Sequence, residues 1–182
     1  MPGFTIHIAI AKLYISKHKL EIKDEKEFIK GSIAPDLNEE MSEITKEKSK
    51  THYGKWGTYE TITHLNEFLN DEKIDMNKDY WKGYYLHLLA DDYFYNRDKY
   101  FKKEYDEVKK NNDKLSYDFD CINKDLIYKY EIEVLENIKK YMNIYDGEPK
   151  YLKLEKIFKF IEDISNINIQ DEIQKMNYKD SH

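Results

Sequence analysis

Cysteine is nearly absent from this chain. The single Cys121 rules out an intramolecular disulfide and a zinc site built from thiolates. It follows "YDFD" with no positive neighbour in sequence to lower its pKa, so a small packing residue is the expectation. Glycine and proline are also scarce, six and three in 182 residues, which leaves few places to turn and points to long helices rather than sheet. No apolar run approaches the length of a membrane span. There is no block of basic residues either. Lysines are scattered among acidic residues and the formal charge is −6, so nothing electrostatic recommends a nucleic-acid partner. The start, "MPGFTIHIAIAKLYISKHK", is interrupted by His7, has no basic stretch before it and no small-residue cleavage site after it. It is not expected to act as a secretion signal, and the expected location is the cytoplasm.

What is present suits one folded domain, residues 1–182. A hydrophobic fraction of 40% is enough for a core at this length without disulfides, although 36% of residues are charged. The 17 tyrosines, in a chain also rich in Lys, Ile and Asn, are better taken as amphipathic packing residues than as a stacking platform.

Apolar spacing predicts an all-α, multi-helix bundle of about six to seven helices. The first runs from Thr5 to about Lys19, with Ile6, Ile10, Leu13 and Lys17 on one stripe and His7, Ala11, Tyr14 and His18 on the next. A second, from Asp24 to Ile33, is expected to stop before Pro35, because the residue ahead of a proline avoids helical geometry. Asp36 to Trp56 is polar and patternless and is expected to be a long loop. A third helix is expected near Thr58–Leu69 with Thr61, Ile62, Leu65, Phe68 and Leu69 inward. A fourth covers Lys78–Tyr95 and continues, bent, to Lys110. A fifth spans Asn123–Tyr141, with Leu126, Tyr130, Val134 and Ile138 as its stripe. "DGEP" at Asp146–Pro149 is a turn, a sixth helix takes Leu152–Ile164, and a short seventh lies within Asn166–Tyr178.

The fourth helix carries an oddity in "GYYLHLLADDYFYN", Gly83 to Asn96: His87, Asp91 and Asp92 run through an apolar middle. A buried carboxylate needs a hydrogen bond, an opposite charge or a metal. His87 and Asp91, four apart, share one face. Alone, such a pair is equally well a charge-assisted hydrogen bond. Other candidates are His7 inside an apolar helix start, His52 in "KSKTHYG", and Asp36 just after Pro35. Mixed imidazole and carboxylate donors suit zinc and related divalent ions, since carboxylates neutralise the charge while imidazoles set geometry. Taken singly, His7 is a hydrogen-bonded core histidine and Asp36 a turn cap. His64 sits at the edge of an apolar face, and His18 and His182 are expected to be exposed.

Taken in order, "MPGFTIHIAIA", "FIKGSIAPD", "KTHYG" and "GYYLHLLADDYF" resemble the zinc-dependent phospholipase C family, whose all-helical fold is shared with related single-strand nucleases of the P1 type. The resemblance covers about the first hundred residues. It implies one metal held by Asp36, His52, His87 and Asp91, with Asp91 bridging to another that also takes His7. In secreted members the mature N-terminus completes that second ion; here the start of the chain differs. The family's remaining ligand set, a His and a His-x-x-x-Glu pair, has no counterpart, because no histidine follows His87 until His182. That third site is absent, or rebuilt from carboxylates such as Asp92, Asp118 or Asp120.

The expected activity is therefore that of a metal-dependent phosphoesterase using metal-activated water, with zinc or another divalent metal as one or two ions. Asp36 is the candidate catalytic carboxylate, and Asp92 and nearby tyrosines are supporting groups. The expected partner is a phosphate-ester small molecule or a lipid head group. Two rivals stand beside it: a metal-binding helical protein without catalysis, and a metal-free helical interaction module. The absence of an adjacent His-Asp dinucleotide counts against the helical phosphohydrolase class that uses one as its metal motif.

Overall fold

α1 (Phe4–Lys17) is apolar on nearly every side, and ten of its residues from Phe4 to Ile15 are buried. A helix of that kind belongs in the middle of a domain. The computed structural model, which describes residues 3–37, 50–56 and 61–181, puts it there. α1 touches α2 (Glu25–Leu37), α4 (Asp79–Asn96), α6 (Ser116–Lys129) and α8 (Leu154–Ser165). The remaining helices are α3 (Leu65–Asn70), α5 (Lys102–Lys110), α7 (Glu136–Lys139) and α9 (Ile169–Ser181). The all-α bundle is thus seen, with nine helices among the described residues rather than six or seven. One two-stranded hairpin accompanies them, and no described helix is long and apolar enough to cross a membrane.

The most extensive helix packing among the described residues is α2 on α4. Two glycines make it close. A Cβ on Gly31 would lie 1.8 Å from the Tyr80 carbonyl oxygen, and one on Gly83 would lie 2.0 Å from that of Phe28. Backbone therefore meets backbone at both positions. This packing also explains the first departure from expectation: α2 does not stop before Pro35 but runs two residues past it. Proline forfeits only the one bond its N–H would have made to Gly31. Ser32 to Asp36 are all buried, and that burial outweighs the local preference.

Other boundaries moved for local reasons. Thr61–Thr63, assigned to a third helix, is a strand paired antiparallel with Gly54–Trp56 in the register Gly54↔Thr63, Lys55↔Ile62, Trp56↔Thr61. A β-branched Thr-Ile-Thr run favours that state. Only Leu65–Asn70 is helical, with Phe68 fully buried; the placement of Thr58 and of the Thr61 and Ile62 side chains lies outside the described residues. Of the expected long loop, Asp36 belongs to α2, Lys50 and Thr51 are helical and 54–56 is strand, while 38–49 lie outside the described residues. The fifth helix begins seven residues earlier than expected and ends at Lys129. There Glu131 takes φ 52° and the Ile132 N–H bonds back to the Ile127 carbonyl. The same left-handed stop, Asn112 at φ 56° with Asp113 N–H to the Val108 carbonyl, ends α5. Both are Schellman endings made without glycine. The bend after α4 falls at Arg97, which is extended. The turn at Asp146–Gly147 and the two C-terminal helices stand close to where the sequence put them.

Asp118, one of the carboxylates considered for a third metal, has a different task. It is buried and accepts the backbone N–H groups of Lys150, Tyr151 and Leu152 at 2.8, 2.6 and 2.8 Å. Asp118→Ala would strand all three donors. A loss of about 3 kcal/mol is expected, seen as a melting temperature roughly 6–12 °C lower by circular dichroism.

Candidate metal centre

α4 positions two donors. His87 and Asp91 lie one turn apart on the face pressed against α1 and α2, and both are fully buried. α2 brings Asp36 in its last turn, α1 brings His7, and the short segment before β1 brings His52. All five residues named from the sequence therefore meet, with exposures between 0% and 5%.

The spacings are informative. His52 Nε2 lies 3.1 Å from Asp36 Oδ1, 3.4 Å from Asp91 Oδ2 and 3.2 Å from His87 Nε2. His87 Nε2 lies 3.6 Å from Asp36 Oδ1 and 3.3 Å from Asp91 Oδ2. These form two donor triangles sharing the His–His edge, one closed by Asp36 and the other by Asp91. The other Asp91 oxygen faces elsewhere: Oδ1 is 3.2 Å from His7 Nε2, and the His7 ring stacks on His87 with centroids 3.5 Å apart. His7, Asp36 and His87 form one group of donor atoms within 4.8 Å of each other, and His52, His87 and Asp91 a second. Asp91 thus presents one oxygen to each side.

His7 Nε2 and both Asp91 oxygens are buried, Oδ1 at ion-pair distance from His7 and Oδ2 from His87. His87 Nδ1 lies 2.7 Å from the Ser32 carbonyl, which can only accept, so that nitrogen carries hydrogen and a neutral ring turns the Nε2 lone pair inward. Burial lowers the pKa of His7, helped by neighbouring His87, and outweighs Asp91 and Asp36. Burial also lowers that of His52 against the hydrogen bond and charge of Asp36. For His87, burial is outweighed by Asp36 and Asp91, and its pKa rises. Burial pushes Asp91 upward, but His87 and His7 beside it win and hold it well below the usual carboxylate range. Burial thus favours neutral rings at His7 and His52, while Asp36 and Asp91 draw His87 toward its protonated form, a proton that a divalent cation would displace.

His52 is aimed by its surroundings. Thr51 Oγ1 lies 2.9 Å from His52 Nδ1, and the buried Tyr84 donates its hydroxyl hydrogen to the Thr51 carbonyl. The next residue, Tyr53, takes φ 52°, a left-handed conformation that costs a non-glycine residue about 1–2 kcal/mol. It sends the Tyr53 ring outward onto Phe68 and Asp71 while His52 points in.

No rebuilt third set appears among the described carboxylates. Asp92 turns to Arg97, 3.0 Å from Nη2, and Tyr93 lies under that guanidinium, so neither supports the cluster. Asp118 holds backbone, and the Asp120 carboxylate bonds to Asn143. His18 is half-buried rather than exposed, 3.0 Å from the Ser165 carbonyl. His64 is exposed, Cys121 is buried, and His182 and the first two residues lie outside the described residues. Sequence reasoning did not find Ser32, Thr51 or Tyr84. Ser32 acts through its backbone, which carries no residue-type signal, and Tyr84 is one of 17 tyrosines. The chain matches no protein-family model, no curated protein and no solved structure.

Proposed function

We propose that this protein is a metal-dependent phosphoesterase of the phospholipase C/P1 nuclease type, acting in the cytoplasm on a phosphate-ester small molecule or lipid head group. The observation that carries the proposal is the convergence of His7, Asp36, His52, His87 and Asp91, from four separated segments, into one dry cluster with ligand-like spacing. Asp36, His52, His87 and Asp91 would hold one divalent ion such as zinc, and His7 with the second oxygen of Asp91 would contribute to another. A bound ion supplies Lewis acidity toward phosphate oxygens and a water acidic enough to ionise near neutral pH. The chain's own contributions are separable. Asp36 and Asp91 balance the cation charge, Ser32 fixes the tautomer of His87, and the Asp36 carboxylate orients the attacking water. The test is hydrolysis of bis-p-nitrophenyl phosphate and p-nitrophenyl phosphate by zinc- or manganese-loaded protein. Metal-dependent turnover that falls at least a hundredfold in Asp36→Asn is expected; a fully loaded protein with no turnover on any phosphate ester would overturn the reading.

Burial of all five donors favours one further reading, an ion that staples the His52 segment to α2 and α4 without catalysis. It predicts a large metal effect on melting and no hydrolysis. A metal-free interaction module predicts melting indifferent to chelation.

A further inference from the structure

The Nε2 of His52 meets three other donors, yet His52 sits on a short segment rather than on a long helix like its partners. Something outside the cluster has to hold it. Its Nδ1 faces Thr51 Oγ1 at 2.9 Å, and the Thr51 carbonyl takes the hydroxyl hydrogen of Tyr84. Tyr84 lies on α4 with His87 and Asp91, three and seven residues before them, and therefore on nearly the same stripe. Its ring is wedged between Phe68, stacked at 5.4 Å, and Trp81 at 5.4 Å. The helix that supplies two donors thus also anchors the peptide that aims a third.

We propose that Thr51 and Tyr84 are positioning residues that set the metal affinity of the centre: Tyr84 fixes the Thr51 peptide to α4, and the Thr51 hydroxyl accepts from His52 Nδ1–H so that Nε2 faces the ion. The inference rests on the metal reading above and adds two residues that bind no metal themselves. Their hydrogen bonds select one tautomer and one ring orientation. Loss of either leaves the donor in place but free to turn.

The experiment is a competition titration of the full chain with zinc against a chromogenic chelator, for wild type, Thr51→Val, Thr51→Ser and Tyr84→Phe. Thr51→Val keeps the side-chain shape and removes the hydroxyl; a 10–100-fold weaker affinity is expected. Thr51→Ser restores the hydroxyl and should return affinity to within about threefold of wild type, a rescue that lost packing would not give. Tyr84→Phe should weaken zinc about tenfold while the melting of the chelated protein moves little. Wild-type affinity in Thr51→Val, or equal loss in Thr51→Val and Thr51→Ser, would overturn the role of the hydroxyl. Unchanged affinity in Tyr84→Phe would remove Tyr84 from the chain of support. If the wild type itself takes up no zinc, the metal reading fails first, and that result is distinct from the others.

Discussion

Protein carrying His87→Ala is expected to leave a chelator-free purification with less than about a tenth of the metal found in the wild type. The size of the effect follows from position. His87 Nε2 is within 3.2–3.6 Å of donor atoms on His52, Asp91 and Asp36, so it stands at a shared corner of both donor triangles. Even residues that only support a ligand are worth about 10–100-fold in affinity, and a ligand itself is worth more. Metal content by inductively coupled plasma mass spectrometry, with no affinity-tag metal, is the direct measurement. A linked result is expected in melting. An ion present at a thousand times its dissociation constant stabilises the folded state by about 4 kcal/mol, so chelation should lower the wild-type transition by roughly 8–16 °C. The same treatment should leave His87→Ala where it was. The exposed His64 provides the control, since His64→Ala should keep its metal. If wild type and variant are equally empty, and added zinc or manganese moves neither transition, the cluster is a buried histidine–carboxylate network and the enzymatic proposal goes with it.

Gly83→Ala is expected to cause the second large change, although it adds one methyl group and improves helix propensity by about 0.8–1.0 kcal/mol. The new Cβ would stand 2.0 Å from the Phe28 carbonyl oxygen and 3.0 Å from the Ser32 nitrogen. Both are backbone atoms of α2, so no side chain can turn aside. Contacts of this kind do not close below 3.0 Å, and α2 would have to retreat from α4 by about 1 Å. A net loss of about 3 kcal/mol or more is expected, read as a transition at least about 6 °C lower. That retreat also carries Asp36 and the Ser32 carbonyl away from His87, so metal retention should fall even in protein that remains folded. Folded Gly83→Ala with unaltered melting and metal content would show that the helices are not pinned as closely as this.

The cluster was legible in the sequence because its members are donors in settings where donors are out of place. His87 and Asp91 interrupt an apolar helix, His7 interrupts another, and Asp36 follows a proline. What placed them together was not legible. The approach of α2 to α4 depends on two glycines 52 positions apart, and each looks alone like a weak point in a helix. Helix endings were misjudged for a related reason. Chains usually stop a helix with glycine in the left-handed conformation, whereas Asn112 and Glu131 perform that task here, and Glu131 gives no warning of it. Pro35 misled in the opposite direction, because burial of Ser32 to Asp36 outweighs a preference that acts on one residue. The apolar stripe expected on the fifth helix does point largely inward at Leu126 and Ile138, but those residues belong to two helices separated by the turn at Glu131.

The covering of α1 has a consequence for the timing of maturation. All five cluster residues lie within the first 91 residues, and α1 is also packed by α8, through Lys17 to Glu162 and Ser165 and through His18 to the Ser165 carbonyl. A ribosome adding 5–20 residues per second finishes Ser165 roughly 4–15 s after Asp91. For that interval the nascent chain carries all five cluster residues but lacks the helix that packs on α1, so the cluster is expected to close only after α8 has been made.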